Sequence, residues 1–157
     1  SVASRGLGDV YKRQDIVIMA AAVADYRPAS VAESKMKKGS ADADLAHLEL
    51  VENPDILKGL VERRDSGTLN PDAIIVGFAA ETGDETTTVL EYARRKFAKK
   101  GCDVLMANEV GEGKVFGQPT SAGWILRRDA EPVVVEPGSK QVVAAQILEA
   151  VNEILKK

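Results

Sequence analysis

The sequence predicts an α/β fold: a mostly parallel sheet between two layers of helices, in a Rossmann-like three-layer arrangement. Two observations carry this prediction. Three short apolar runs are typical of buried parallel strands, and they are Ile16–Val23, Ala73–Ala80 and Asp103–Ala107. Helical patterns occupy the intervals between them, as crossovers between parallel strands require.

The first half of the chain predicts a loop, a strand and a helix. Asp25–Gly39 is polar and is expected to form a loop or mobile flap, and Leu45–Val51 alternates as a strand does. Asn53-Pro54-Asp55 has the pattern of a helix start, with an N-cap, a proline at the first position and an acid in the first turn. The inward face of this helix is expected to hold Ile56, Leu57, Leu60 and Val61.

The second half predicts two helices and a hairpin. Thr88 and Glu91 have capping-box spacing, which indicates a helix to about Lys100, and residues 108–121 form a glycine-rich loop. A hairpin of Gly123–Arg128 with Pro132–Val135 precedes a helix over Lys140–Lys157. The residues expected to face inward on the two helices are Val89, Ala93 and Phe97, and then Val143, Ile147, Val151, Ile154 and Leu155.

Composition limits the possible functions. The chain has 157 residues, enough for about one domain, with 45% hydrophobic and 29% charged residues, as globular proteins have. A net charge of −3 argues against a nucleic-acid partner, and no apolar run reaches the roughly 18–20 residues of a membrane span. Cys102 and His47 are the single cysteine and histidine, which excludes a CxxC redox pair and a His-based metal cluster. We expect a cytoplasmic protein.

Residues 1–14 do not fit the pattern of strands and helices predicted for the rest of the chain, and we expect them to be disordered. Asp9–Gln14 is the hexapeptide that GAT-GTG-TAT-AAG-AGA-CAG would encode, and that DNA resembles a transposon end used in preparing sequencing libraries. We therefore interpret residues 1–14 as a translated adaptor and residues 15–157 as part of one domain. The alternative is a natural, frayed N-terminal arm.

Four groups of residues could carry chemistry. The strands end in small residues, which would allow a ligand or a helix to approach the backbone closely. Lys96 and Lys100 share one helix face and could bind a phosphate, or could be a solvated surface. Asn53–Asp55 could bind an anion at the helix start or simply cap it, and Asp25 could bond a ribose hydroxyl or form a turn. The glycines of residues 111–117 lack the dinucleotide-binding spacing, which disfavours a nicotinamide-dependent enzyme.

Several of these segments, in this order, resemble one family, the phosphopantothenate–cysteine ligases (phosphopantothenoylcysteine synthetases) of coenzyme A biosynthesis. The matching segments are Ala21–Pro28, Lys35–Lys38, Asn53–Leu57, Val76–Thr82, Lys96, Lys100, Asp103 and Ala107–Asn108. The resemblance covers the chain from Asp15 onward. The family's first strand and glycine-rich turn would precede Asp15, so we expect the first strand or strands to be missing.

The resemblance implies a two-step ligation that uses CTP as co-substrate with Mg²⁺. The carboxylate of 4′-phosphopantothenate would attack CTP to give an acyl-cytidylate, and the amine of cysteine would then displace CMP. It also implies a homodimer and a fused upstream decarboxylase domain, which alone would hold FMN. The alternative is a nucleotide-binding module without catalysis.

The resemblance also implies roles for individual residues. Lys35 would be catalytic, as a flap lysine that stabilises the charged intermediate. Ala22 and Arg27 would contact substrate, and no metal ligand is assigned. The nucleotide would be bound by Met19, Ala20, Ala21, Asp25, Lys35, Pro54, Asp55, Ile56, Leu57, Phe78, Lys96 and Lys100.

Overall fold

The structure is a computed structural model that describes residues 14–31, 48–111 and 120–156. Its elements in chain order are β1 (Ile16–Ile18), β2 (Tyr26–Pro28), β3 (Leu50–Glu52), α1 (Ile56–Asp65), β4 (Ile74–Glu81), α2 (Val89–Lys100), β5 (Val104–Glu109), β6 (Thr120–Arg127), β7 (Val133–Ser139) and α3 (Lys140–Leu155). The chain divides into two units. The first contains the described residues up to Ala20 and from Leu57 onward, and the second is Ala21–Ile56.

The first unit is built on a sheet in the order β1-β4-β5-β6-β7. Strands β1, β4 and β5 are parallel neighbours, whereas β6 runs antiparallel to β5 and β7 antiparallel to β6. Four of these five strands therefore share one direction, and the prediction of a mostly parallel sheet ending in a hairpin is confirmed.

Helices cover both faces of this sheet, which gives the predicted three layers. Alternate residues of a strand point to opposite faces, so β4 and β5 contribute to two separate cores. The α1 and α2 face buries Leu57, Val61, Ile75, Ala79, Ala93, Leu105 and Ala107. The α3 face buries Ile74, Val76, Val104, Met106, Ile125, Val135, Val143, Ile147 and Val151.

Strand β1 is shorter and more exposed than its apolar sequence predicts. We expected a buried strand over Ile16–Val23, but the strand ends at Ile18. It is parallel to β4 as predicted, with Ile16 opposite Ile74. Ile16 and Ile18 are 37% and 44% exposed because β1 is the outermost strand of the described sheet.

The predicted start of α1 is wrong. The helix begins at Ile56, so Asn53 is not its N-cap, and the structure has no acidic residue in the first turn. The Asn53 amide is used elsewhere: Nδ2 donates to the Ala24 carbonyl at 2.7 Å, and Oδ1 accepts from Arg27 Nη1 at 2.9 Å. Ile56 is 45% exposed rather than inward, whereas Leu57 and Val61 are buried as predicted.

The second unit contains a short antiparallel pair, β2 with β3. The predicted loop over Asp25–Gly39 therefore begins with a strand. The predicted strand over Leu45–Val51 is represented by β3, which extends to Glu52. Residues 32–47, which include Lys35 and His47, lie outside the described residues, as do residues 1–13.

The predictions for the second half of the chain are largely confirmed. The predicted loop over residues 108–121 is wrong at both ends, because β5 extends to Glu109 and β6 begins at Thr120. Thr88 caps α2 through the capping box, since its Oγ1 accepts from Glu91 N at 3.2 Å and its own N–H donates to Glu91 Oε2 at 2.8 Å. The hairpin is β6 with β7. Helix α3 buries Val143, Ile147 and Val151, but Leu155, at its last position, is 59% exposed, contrary to prediction.

Gly123 is the position in the hairpin least tolerant of a side chain. Its φ is +153°, and a Cβ there would lie 1.9 Å from the Ala107 carbonyl oxygen of β5. We expect Gly123→Ala to destabilise the fold by about 1–3 kcal/mol or more, because backbone must move to admit the methyl group. Urea unfolding will measure the effect. In Gly59→Ala, where a Cβ meets nothing within 4 Å inside α1, stability should hold or rise; equal losses in both variants would refute the prediction.

Candidate functional site

The parallel strands bring three segments of the first unit to one edge of its sheet. Strands β1, β4 and β5 run in the same direction, so Met19–Ala20, Phe78–Glu81 and Ala107–Asn108 stand at their carboxyl ends. Ligands of open α/β sheets bind at this edge. We call these three segments the carboxyl edge.

Much of the small-residue character of the carboxyl edge serves packing. Ala79 and Ala107 are 5% and 0% exposed in the core under α1 and α2. A Cβ on Gly77 would lie 2.5 Å from Leu57 Cδ2, so glycine allows α1 to approach β4 closely. The packing interpretation of these residues is therefore confirmed, while Ala80 is exposed.

Lys96 reaches the carboxyl edge through an ion pair. Its Nζ lies 2.5 Å from Oε1 of Glu81, the last residue of β4. The Lys96 side chain is 39% exposed and that of Glu81 is 14% exposed. Sequence reasoning did not single out Glu81, because its lysine partner lies on another element and no local spacing connects them.

Lys100 lies farther from this edge than Lys96 does. Helix α2 follows β4 and leads into β5, so it runs from the carboxyl ends of the strands back toward their amino ends. Lys100 is its last residue, one turn or about 6 Å along the axis beyond Lys96. Of the two lysines predicted to converge on an anion, Lys96 is the one whose contact with Glu81 places it at the carboxyl edge.

Phe78 lies on the other face of the sheet. Its side chain packs against the core under α3, whereas Glu81 and Lys96 belong to the side covered by α2. A ligand that touches both the Phe78 ring and the Lys96 ammonium would therefore extend across the ends of the strands.

Met19, Ala20 and Leu57 are the other residues of the first unit that are predicted to bind nucleotide. They could contact a ligand mainly through their backbone groups. Met19 N–H already donates to the Val76 carbonyl at 2.9 Å, and its side chain packs against the core under α1 and α2. Leu57 is 8% exposed in the same core, so its side chain is unavailable. Ala20 is exposed.

The second unit holds its own cluster of predicted residues. Arg27 Nη1 donates to the Glu52 carbonyl at 3.2 Å as well as to Asn53 Oδ1, and Asn53 N–H donates to the Asp25 carbonyl at 2.7 Å. These bonds join the residues around Asp25 to the end of β3. The other predicted residues of this unit are exposed, and they are Ala21, Ala22, Pro54, Asp55 and Ile56.

Two polar contacts flank the carboxyl edge. Ser121 Oγ, in a residue 8% exposed on β6, donates to Asn108 Oδ1 at 2.7 Å. In the loop after β4, Asp84 accepts hydrogen bonds from the Tyr92 hydroxyl and from Thr86, and these hold its pKa well below the usual range. The loop that leads into α2 is thereby tied to the helix.

Neither a metal-binding cluster nor a membrane-spanning helix occurs among the described residues. No group of three His, Cys, Asp or Glu in the described ranges could hold a metal ion. None of the helices described is both long and apolar enough to cross a membrane. Lys35, the predicted catalytic residue, falls outside the described ranges, so its role stays a prediction.

Comparison with known proteins gives consistent matches. The family model for the DNA/pantothenate metabolism flavoprotein C-terminal domain matches residues 5–155. The chain is 46% identical over 141 residues to the Coenzyme A biosynthesis bifunctional protein CoaBC of Mycobacterium tuberculosis, and 38% identical over 149 residues to that of Bacillus subtilis. These alignments cover 90% and 94% of this chain but 33% and 34% of the relatives, so the chain spans about a third of their length.

A solved structure supports the same assignment. The crystal structure of the C-terminal domain of a Coenzyme A biosynthesis bifunctional protein CoaBC superimposes with a TM-score of 0.65 at 30% identity. The match covers 97% of this chain and 62% of that one.

Proposed function

The chain belongs to the family of DNA/pantothenate metabolism flavoprotein C-terminal domains, and from this premise we propose that it forms part of a CTP-dependent phosphopantothenate–cysteine ligase of coenzyme A biosynthesis. The observation that carries the proposal is the position of Phe78–Glu81 and Ala107–Asn108. Both segments match the family, and both lie at the ends of parallel strands, at the edge where α/β sheets bind ligands.

The proposed reaction has two balanced steps. A carboxylate oxygen of 4′-phosphopantothenate attacks the α-phosphorus of CTP; an acyl–phosphate bond forms, the bond to the β-phosphate breaks and pyrophosphate leaves. The amine nitrogen of cysteine then attacks the acyl carbon, an amide forms, the amine loses a proton and CMP leaves. Negative charge develops at phosphorus in the first step, so fixed cations would lower its barrier.

Side chains of this chain have separate tasks in the proposal. Lys96 would neutralise part of the phosphate charge, supported by its ammonium at the carboxyl edge and its 39% exposure. Lys35 would stabilise the charged intermediate, and Asp25 would accept a hydrogen bond from the ribose or base. Mg²⁺ would screen the charge of the triphosphate, and the described residues offer no cluster of side chains that would hold this ion.

The remaining parts of the proposal rest on the resemblance alone. They are a homodimer in the cytoplasm and a fused upstream decarboxylase that carries FMN. The relatives are described as bifunctional proteins of coenzyme A biosynthesis, which supports the fusion.

Isotope transfer tests the proposed chemistry most directly. With 4′-phosphopantothenate labelled with ¹⁸O in its carboxylate, the acyl-cytidylate route requires one ¹⁸O atom to appear in the phosphate of CMP, as detected by mass spectrometry. ATP in place of CTP tests the nucleotide preference. CTP binding without pyrophosphate release would favour the binding module without catalysis, and release of unlabelled CMP would exclude the acyl-cytidylate.

A further inference from the structure

Glu81 carries a negative charge at the carboxyl edge, where binding of the nucleotide's phosphates would need positive charge. It ends β4 at the carboxyl edge, and its side chain is 14% exposed. Its Oε1 is shielded from solvent and accepts no hydrogen bond from the part of the chain described. The Lys96 ammonium, 2.5 Å away, forms an ion pair with this oxygen without hydrogen-bond geometry. A buried carboxylate oxygen is costly unless it is paired, so this contact holds the lysine in place.

The two partners differ in their access to solvent. Lys96 is 39% exposed, more than twice the exposed fraction of Glu81. An ammonium has three N–H donors, so Lys96 can contact Glu81 on its buried side and still donate to an anion on its exposed side. Lysine otherwise loses much rotamer freedom when it binds, and a fixed partner reduces that loss.

A second carboxylate stands at the end of the neighbouring strand. In the parallel register of β4 and β5, Glu81 lies opposite Glu109, so both side chains leave the same face of the sheet. The Glu81 carboxylate by itself would repel a triphosphate. Lys96 offsets the charge of Glu81, and its ammonium is directed to this edge rather than into bulk solvent.

We propose that Glu81 is a positioning residue that holds the Lys96 ammonium at the carboxyl edge for the phosphates of a nucleoside triphosphate. The proposal rests on the proposed function. It makes a distinctive prediction, because simple electrostatics predicts the opposite effect. Removing a negative charge beside a phosphate site should tighten nucleotide binding, whereas removing the partner that positions the lysine should weaken it.

Calorimetric titration of the full-length protein with CTP tests the proposal. We expect Glu81→Gln to raise the Kd about tenfold, the scale of one charge-assisted contact, and Glu81→Asp to recover part of the loss. In a Lys96→Met background, Glu81→Gln should cause no further weakening, because the two residues act as a unit. Thermal unfolding of each variant separates loss of binding from loss of folding.

Glu131→Gln is the matched control. Arg94 lies on α2, as Lys96 does, and forms an exposed ion pair with Glu131 at 3.6 Å. Glu131→Gln removes this ion pair and should leave the Kd for CTP unchanged. Unchanged or tighter CTP binding by folded Glu81→Gln would overturn the proposal while leaving the proposed function intact. Failure of the unmutated protein to bind CTP would overturn both.

Discussion

Replacing Lys35 by alanine is expected to slow pyrophosphate release by about 10²-fold or more, the usual effect of losing one electrostatic stabiliser of a transition state. The resemblance assigns this flap lysine to the charged intermediate, and no neutral side chain can replace its charge. The rate should be followed in the full-length protein with saturating CTP and 4′-phosphopantothenate, so that the effect on kcat is separated from weaker binding.

Two variants make this result specific. Lys35→Arg keeps the charge and should recover part of the rate, although its planar group differs in geometry from an ammonium. Lys99→Ala removes one charge from the exposed surface of α2 and should be close to the unmutated protein. Turnover by Lys35→Ala at the unmutated rate would exclude the catalytic role.

The largest loss of stability is expected from Asp103→Ala, at about 3–5 kcal/mol, because the change removes the nearest carboxylate from a buried guanidinium and the acceptor from a buried backbone N–H. Arg64 keeps its contacts with Asp65 Oδ1, at 3.2 Å, and with the Ala73 carbonyl. Asp103 Oδ2 accepts hydrogen bonds from Arg64 and from Ile75 N–H, the latter at 2.8 Å. The Arg64 side chain is 8% exposed. This contact joins α1 to the amino ends of β4 and β5, away from the carboxyl edge.

Chemical denaturation at equilibrium would measure the effect of Asp103→Ala. Asp72→Ala, in the exposed turn before β4, is the control and should change the unfolding midpoint little. The double variant Arg64→Met, Asp103→Leu should lose less stability than Asp103→Ala alone, because the buried guanidinium is removed together with its nearest carboxylate. If Asp103→Ala unfolded at the same denaturant concentration as the unmutated protein, the contact would not contribute to stability.

The site was less predictable than the fold. Lys96 could be selected from the resemblance, but not Glu81, since their contact depends on how α2 lies across β4. Phe78 and Lys96 both match the family, yet their side chains occupy opposite faces of the sheet. The alternation of side chains along a strand predicts that neighbouring residues point to opposite faces of the sheet, but it does not predict which face each helix will cover.

Local patterns in the sequence determined the order of strands and helices, the capping box at Thr88 and the C-terminal hairpin. These features depend on residues that are close in sequence or on the spacing of apolar residues, so they can be predicted from the sequence. Only the tertiary structure decided that Asn53 bonds Ala24 and Arg27 instead of capping α1, that β1 ends at Ile18, and that Glu81 pairs with Lys96. Each outcome depends on the competing partners that distant segments supply, because a polar group takes the best hydrogen bond or ion pair within reach.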